Sequence, residues 1–192
     1  MNKIAKYIVL FAVGAAEVTG LVWMRGEYKT TLAEGTVYEM PVKVEDAKND
    51  FESGYIFLDN PIDEAAWAGD SVAEVGEAVR LVIAKDKKTG ALNVLHAQRD
   101  TPQGDYITVR VTKADDDTIH FDWPADRIYI AGAEKKKQLV EELTRRVPIR
   151  DYITDKVVSH LENELMATIR IKDGKTVYED VKVNGRDVES EQ

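Results

Sequence analysis

An apolar run near the N-terminus is the clearest feature of the hydrophobic pattern. Residues 7–24 are apolar except for Glu17 and Thr19. An α-helix of this length spans about 27 Å, close to the ~30 Å hydrocarbon core of a bilayer. A cleaved signal peptide is the alternative, but the apolar run resumes after the small residues around Ala16. The pattern therefore favours an uncleaved signal anchor, a transmembrane helix within residues 1–25.

The basic residues before this run predict its orientation. Lys3 and Lys6 precede the apolar segment and no acidic residue accompanies them. By the positive-inside rule the N-terminus is cytoplasmic, and the rest of a single-pass chain is extracytoplasmic. The localisation predicted is the cytoplasmic membrane, with the bilayer as one partner.

Glu17 is the one ionisable residue in the run. A carboxylate at mid-membrane costs about 2.5–3.5 kcal/mol on insertion scales and is often functional. Two interpretations stay open: Glu17 is protonated or reaches water, or it contacts a neighbouring membrane helix. The small residues from Gly14 to Ala16 favour close approach of such a helix.

After the anchor, alternating apolar and polar positions predict mainly strands. The predicted strands cover residues 37–44, 51–58, 79–84, 91–97, 104–112, 118–121, 127–130, 167–172 and 176–183. Pro41 makes the first of them an edge strand or a bulge. Residues 26–36 are expected to be a polar juxtamembrane stretch, and residues 61–78 a short helix or an irregular connection.

Helices are predicted only towards the C-terminal part of the domain. Residues 133–146 have an apolar stripe and a charged opposite face, and residues 152–166 can form a second helix. The Lys135–Lys137 run is read as a solvated helix start. The fold class predicted is α+β: mainly β with minor α, an antiparallel β domain behind an N-terminal transmembrane helix.

Two similar stretches suggest that the β domain is duplicated. Ser53-Gly54-Tyr55 and Gly104-Asp105-Tyr106 each begin an apolar strand, 51 residues apart between their tyrosines. The predicted boundaries are 1–25 for the anchor, 26–75 for a first β half and 76–192 for a second half with the helices and a C-terminal hairpin.

Composition excludes several functions. The 192 residues carry a net charge of −9, which opposes binding to the phosphates of nucleic acid. There is no cysteine, so disulfides and thiol chemistry are excluded. The three histidines are widely separated, and Asp115–Asp117 lack the spacing of a calcium loop. We therefore predict neither a metal nor a cofactor.

Taken in order, the anchor, the stretch at 51–58, the Gly104-Asp105-Tyr106 motif, residues 127–130 and the C-terminal hairpin resemble the GDYXXLXY family. Val109 and Val111 stand where the family name has Leu and Tyr. The resemblance covers most of residues 5–188. It implies a membrane-anchored bacterial protein of unassigned activity, with a multi-span membrane protein as partner.

The motif residues are the candidate site. Tyr55, Gly104, Asp105 and Tyr106 are candidate binding residues, although a structural corner is the favoured interpretation of the motif. We find no catalytic constellation and expect no enzyme activity. The function predicted is a binding or accessory module of a membrane protein complex. The alternative is a membrane-tethered hydrolase or a small-ligand-binding domain.

Overall fold

The computed structural model describes residues 3–44, 54–151 and 156–187. Within these ranges the chain forms two helices and thirteen strands. The helices are α1 (Lys3–Glu34) and α2 (Ala133–Thr144); the strands are β1 (Thr36–Val44), β2 (Tyr55–Asp59), β3 (Glu64–Ala66), β4 (Ala78–Lys85), β5 (Leu92–Gln98), β6 (Tyr106–Ala114), β7 (Thr118–Asp122), β8 (Arg127–Tyr129), β9 (Arg146–Asp151), β10 (Lys156–Leu161), β11 (Leu165–Lys172), β12 (Lys175–Val183) and β13 (Arg186–Asp187).

Most strands belong to two antiparallel sheets. The larger has the order β13-β12-β11-β1-β2-β8, and the smaller has the order β3-β7-β6-β4-β5. Strands β9 and β10 form a separate hairpin. The larger sheet curls, so that its edge strand β8 comes near β12. It draws strands from both of the predicted halves, and β3 of the first half lies in the smaller sheet.

One hydrophobic core joins the two sheets. Buried and accessible positions alternate along β4 and β6, as expected for strands with one face against a core. Leu81 and Ile107 of the smaller sheet and Met40 and Ile169 of the larger one are fully buried in one cluster. Burying such a side chain contributes about 1.5–3 kcal/mol each, so these positions dominate the stability of the domain.

The structure confirms the coarse fold class, mainly β with two helices. Glycines stand at the hairpin turns, as sequences with Asp-Gly and Asn-Gly pairs favour: Gly90 has a φ of 75°, and the Asp173-Gly174 and Asn184-Gly185 turns have positive φ at both residues. Such turns match the twist of the strands they connect. Phe51 to Ser53, predicted to begin a strand, lie outside the described residues.

Two local predictions are wrong, those for residues 152–166 and for Lys136. The described part of residues 152–166 is β10 and the start of β11 rather than a helix. Val157 and Val158 are β-branched, which favours a strand. For residues 61–78, predicted as a short helix or an irregular connection, the irregular connection is observed; it contains β3 and ends where β4 begins at Ala78. Lys136 is fully buried instead of solvated; it lies on the face of α2 that also buries Val140 and Leu143.

Pro41 does not mark an edge strand, because β1 lies inside the larger sheet. The physical reason is that β1 is flanked unevenly. It pairs with β11 from Thr36 to Val42, whereas its pairing with β2 is formed by Lys43 and Val44. Proline is tolerated where a ladder lies on one side of the strand.

Helix α1 is longer than the predicted anchor. It continues through Glu34, so the expectation of a polar juxtamembrane connection over residues 26–36 is wrong for most of that stretch. Residues 25–34 lack proline, and their one glycine does not interrupt the helix. No helix within the described residues has the combined length and hydropathy required to cross a membrane.

Candidate functional site

Gly104 provides a backbone conformation that begins β6. Its φ is +112°, a region that side chains rarely allow. A Cβ added there would meet no atom within 4 Å. Backbone conformation, rather than lack of space, therefore requires glycine at this position.

Asp105 links the two sheets through a side-chain hydrogen bond. The hydroxyl of Tyr38, on β1 of the larger sheet, donates to Asp105 Oδ2 at 2.9 Å. Burial raises the pKa of Tyr38 far above its usual range, and the neighbouring Asp105 carboxylate raises it further. The phenol therefore stays protonated and acts as the donor. The two hydrogen-bonded residues are 67 positions apart in the sequence.

Tyr106 packs against the turn between β11 and β12. A Cβ at Gly174 would lie 2.6 Å from Tyr106 Cε2 and would also collide with the Thr108 hydroxyl. Thr108 N donates to Gly174 O at 2.9 Å in the same place. Glycine is thus needed at position 174 both for its φ of +78° and for this close approach.

Gly104, Asp105 and Tyr106 consequently lie at a junction between the two sheets. Tyr55 lies elsewhere. It begins β2 of the larger sheet, and its ring meets the Tyr129 ring edge to face at 5.5 Å between centroids. The structure does not bring Tyr55 together with the Gly104-Asp105-Tyr106 motif.

The two motif copies do share a local pattern. Tyr55 and Tyr106 are each the first residue of a strand, and the next residue, Ile56 or Ile107, is fully buried. The preceding glycines differ, since a Cβ at Gly54 would collide with the Tyr129 ring whereas one at Gly104 meets nothing within 4 Å. The shared strand position is what a duplicated unit predicts.

A cavity of about 610 Å³ contains the first motif tyrosine. We call it the tyrosine groove. It lies between α1, the edge strand β8 and β12, where the larger sheet curls without closing. Its main lining residues are Tyr28, Tyr55, Arg127, Tyr129, Thr176 and Tyr178.

Arg127 carries the positive charge of the groove. Its guanidinium lies 5.6 Å from the centroid of the Tyr55 ring and 5.8 Å from that of Phe57. Its Nε is 3.5 Å from Asp126 Oδ1. The two rings and the carboxylate hold the guanidinium in one place at the rim, since cations are attracted to aromatic faces.

Two buried hydroxyls have no hydrogen-bond partner among the described residues. They belong to Tyr178, whose side chain is 7% exposed, and to Thr176. Burial raises the pKa of Tyr178 far above its usual range, and the negative charges of Asp126 and Asp59 raise it further. An unpaired buried hydroxyl costs about 1–3 kcal/mol, so its retention calls for an explanation.

Helix α1 presents a second candidate surface. Six apolar side chains along it are between 50% and 67% exposed: Val13, Val18, Leu21, Val22, Trp23 and Met24. Glu17 is also exposed on this part of the helix. A Cβ at Gly14 would meet nothing within 4 Å.

The C-terminal third of α1 docks on the sheet. Thr31 is buried, and Glu34 and Glu27 form ion pairs with Lys172 and Lys175 on either side of the β11–β12 turn. The ammonium of Lys175 also lies 5.3 Å from the centroid of a Trp23 ring. The helix is therefore attached to the domain through this segment.

The sequence analysis missed Arg127, Tyr129 and Tyr178. The sequence signal for these residues was a tyrosine close to a charged residue on each of two strands: Tyr129 near Arg127 on β8, and Tyr178 beside Glu179 on β12. Sequence alone does not show that the larger sheet curls, and the curl is what brings these strands together. The described residues contain no group of three or more His, Asp or Glu side chains that could hold a metal ion.

No family model, curated protein or solved structure matches the chain. The resemblance to GDYXXLXY proteins therefore stays a prediction.

Proposed function

We propose that the protein is a membrane-tethered accessory module of a membrane protein complex. In this proposal α1 is a single-pass anchor in a bacterial cytoplasmic membrane, its N-terminus is cytoplasmic and the β domain is extracytoplasmic. The observation that carries it is the row of uncovered apolar side chains on α1, from Val13 to Met24.

These side chains point all round the helix. Leu21, Val22, Trp23 and Met24 are consecutive, and consecutive helical residues are rotated by about 100° from one another. A groove on a soluble partner protein would cover only one face of the helix. A helix that is apolar on all faces fits surroundings that are apolar on all faces, which favours lipid and neighbouring membrane helices.

The rigid attachment of α1 to the domain supports an accessory role. The helix continues without a break into the segment that docks on β11 and β12. A partner that binds the apolar part of α1 would therefore also fix the orientation of the β domain. We further propose that the β unit is duplicated, which the matching positions of Tyr55 and Tyr106, each at the start of a strand, support.

Glu17 is the proposed contact with a multi-span membrane protein. Its exposed carboxylate lies one helical turn from Gly14, where nothing prevents close approach of another helix. Polar contacts between membrane helices contribute about 0.6–2 kcal/mol.

Substitution Glu17→Leu is expected to lower recovery of the membrane partner about threefold to tenfold, because it removes this polar contact. The measurement is a detergent-solubilised pull-down of the full chain, with co-purifying proteins quantified by mass spectrometry. Val18→Leu, a change of one methylene on the same helix, is the matched control. Recovery that is equal for Glu17→Leu and the control would contradict the proposed contact.

The anchor itself has a separate test. Mass spectrometry of the mature N-terminus is expected to find the apolar run intact. A mature chain that begins between residues 15 and 30 would contradict the anchor.

A ligand-binding domain is the second candidate function. The observation that favours it is the tyrosine groove, whose volume lies within the range of small-molecule sites.

A further inference from the structure

We propose that the tyrosine groove binds a short, uncharged saccharide chain. This inference rests on the second candidate function and does not depend on the membrane partner. Two properties of the groove lead to the ligand class: accessible aromatic rings and planar polar groups at the rim.

The aromatic rings fit the apolar faces of sugars. Tyr55 and Tyr129 are 43% and 53% exposed, and their planes meet at 69°. Arg127 lies over the Tyr55 ring and the two rings meet edge to face, so the remaining exposed parts of both rings are available to a ligand. A pyranose ring has a face of C–H groups, which packs against an aromatic ring and buries apolar area.

The polar groups fit the hydroxyls of the same ligand. Asp126 offers two acceptor oxygens, and Arg127 offers donors in a fixed plane. Neighbouring hydroxyls of a sugar are both donors and acceptors, so one sugar can use both side chains. Tyr178 and Thr176 also line the cavity, but their hydroxyl oxygens are buried and so are not within reach of a ligand in it.

The charge of the groove argues against an anionic ligand. Arg127 is neutralised by Asp126 at its side. Glu179, which also lines the cavity, forms an ion pair with Arg170 at 2.7 Å. With a net charge of −9 on the chain, phosphates and carboxylates are repelled overall. An uncharged ligand meets no such penalty.

The strand at the edge of the groove argues against an extended peptide. Peptides that add a strand to a sheet obtain affinity from a row of main-chain hydrogen bonds. Strand β8 has only three residues, Arg127 to Tyr129, so the row would be short. A saccharide does not need such a row.

The test is a titration of the full chain with maltotetraose, cellotetraose and chitotetraose, in which isothermal titration calorimetry measures binding. The detergent must have no sugar headgroup, since such a headgroup would occupy the groove. We expect at least one tetrasaccharide to bind with a Kd of about 1 mM or tighter. Binding of none of them, or tighter binding of a short apolar peptide, would overturn the proposal.

Variants locate the site. Tyr129→Ala is expected to weaken binding about tenfold by removing one ring, as truncated aromatic anchors commonly do. Leu95→Ala, at an exposed residue of the smaller sheet, is the control and should leave the Kd unchanged. Equal affinities for the two variants would contradict binding in the groove.

The saccharide could be free or part of a lipid headgroup. The titration is therefore repeated in nanodiscs with and without digalactosyl diacylglycerol. Weaker tetrasaccharide binding in the nanodiscs that contain the glycolipid would identify a lipid-borne source. Equal binding in both kinds of nanodisc would identify a free saccharide. Both results support a saccharide site.

Discussion

Replacement of Gly174 by alanine is expected to lower the free energy of unfolding by about 3 kcal/mol. The left-handed backbone at this position costs a side chain about 1–2 kcal/mol. Crowding adds about 1–3 kcal/mol, because the new Cβ would collide with the Tyr106 ring and the Thr108 hydroxyl. Denaturant unfolding of the full chain, monitored by circular dichroism, measures the change in unfolding free energy.

Gly185→Ala is the matched control. Gly185 has nearly the same φ, +77° against +78°, and also follows a residue with positive φ in a hairpin turn. A Cβ there meets nothing within 4 Å, so only the backbone cost of about 1–2 kcal/mol remains. Equal losses of unfolding free energy in the two variants would show that crowding against Tyr106 at the β11–β12 turn does not contribute to the effect.

Substitution Asp105→Ala is expected to destabilise the fold by about 2 kcal/mol. The variant leaves the hydroxyl of Tyr38 buried without its acceptor, which costs about 1–3 kcal/mol. The side chain of Tyr38 is only 3% exposed, so water cannot easily replace the lost carboxylate. Chemical denaturation at neutral pH gives this value directly.

A double variant tests the origin of that cost. Tyr38→Phe combined with Asp105→Ala removes both partners, and it should be less destabilised than the sum of the two single variants. Asp115→Ala, which removes an exposed carboxylate paired with Lys113, should change stability little. A strictly additive double variant would show that the Tyr38–Asp105 hydrogen bond does not stabilise the protein. Retained partner recovery or ligand binding in a folded Asp105→Ala protein would agree with a structural role for the motif.

The predictable parts of the fold are those with strong local signals. Alternation identified β4 and β6, and the Asp-Gly and Asn-Gly pairs identified the turns that flank β12. The helix α2 was also recognisable from its apolar stripe. These signals depend on residues close in sequence, whose side chains meet the same sheet face or the same turn.

The wrong predictions concern segments whose partners are distant in sequence. Residues 156–161 form a strand because β9 pairs with them, and no helical stripe reveals that pairing. Lys136 has a charged neighbour on each side, so its burial on α2 depends on how the helix packs. Pro41 is tolerated inside a sheet because β2 leaves most of β1 unpaired on that side.

The candidate site was predicted only in part. Tyr55 was selected as a binding residue and it does line the tyrosine groove, although no finding tests its role. Gly104, Asp105 and Tyr106 were selected from the same motif, yet they lie at the junction of the sheets. Short similar stretches can thus occupy different surroundings, since the surroundings are supplied by other strands. Tyr178 illustrates this, because its neighbour Asp126 is 52 residues away.

Because α1 is unbroken, it fixes the distance between the bilayer surface and the tyrosine groove in the proposed arrangement. If the apolar run ends at the bilayer surface with Met24, then Tyr28 lies about 6 Å and Leu32 about 12 Å above it along a helix. Both residues line the tyrosine groove. The entrance of the groove would then stand at the height of the lipid headgroups, and a straight helix would prevent the domain from tilting away. What the domain can reach is in that case a thin layer parallel to the membrane rather than the whole compartment.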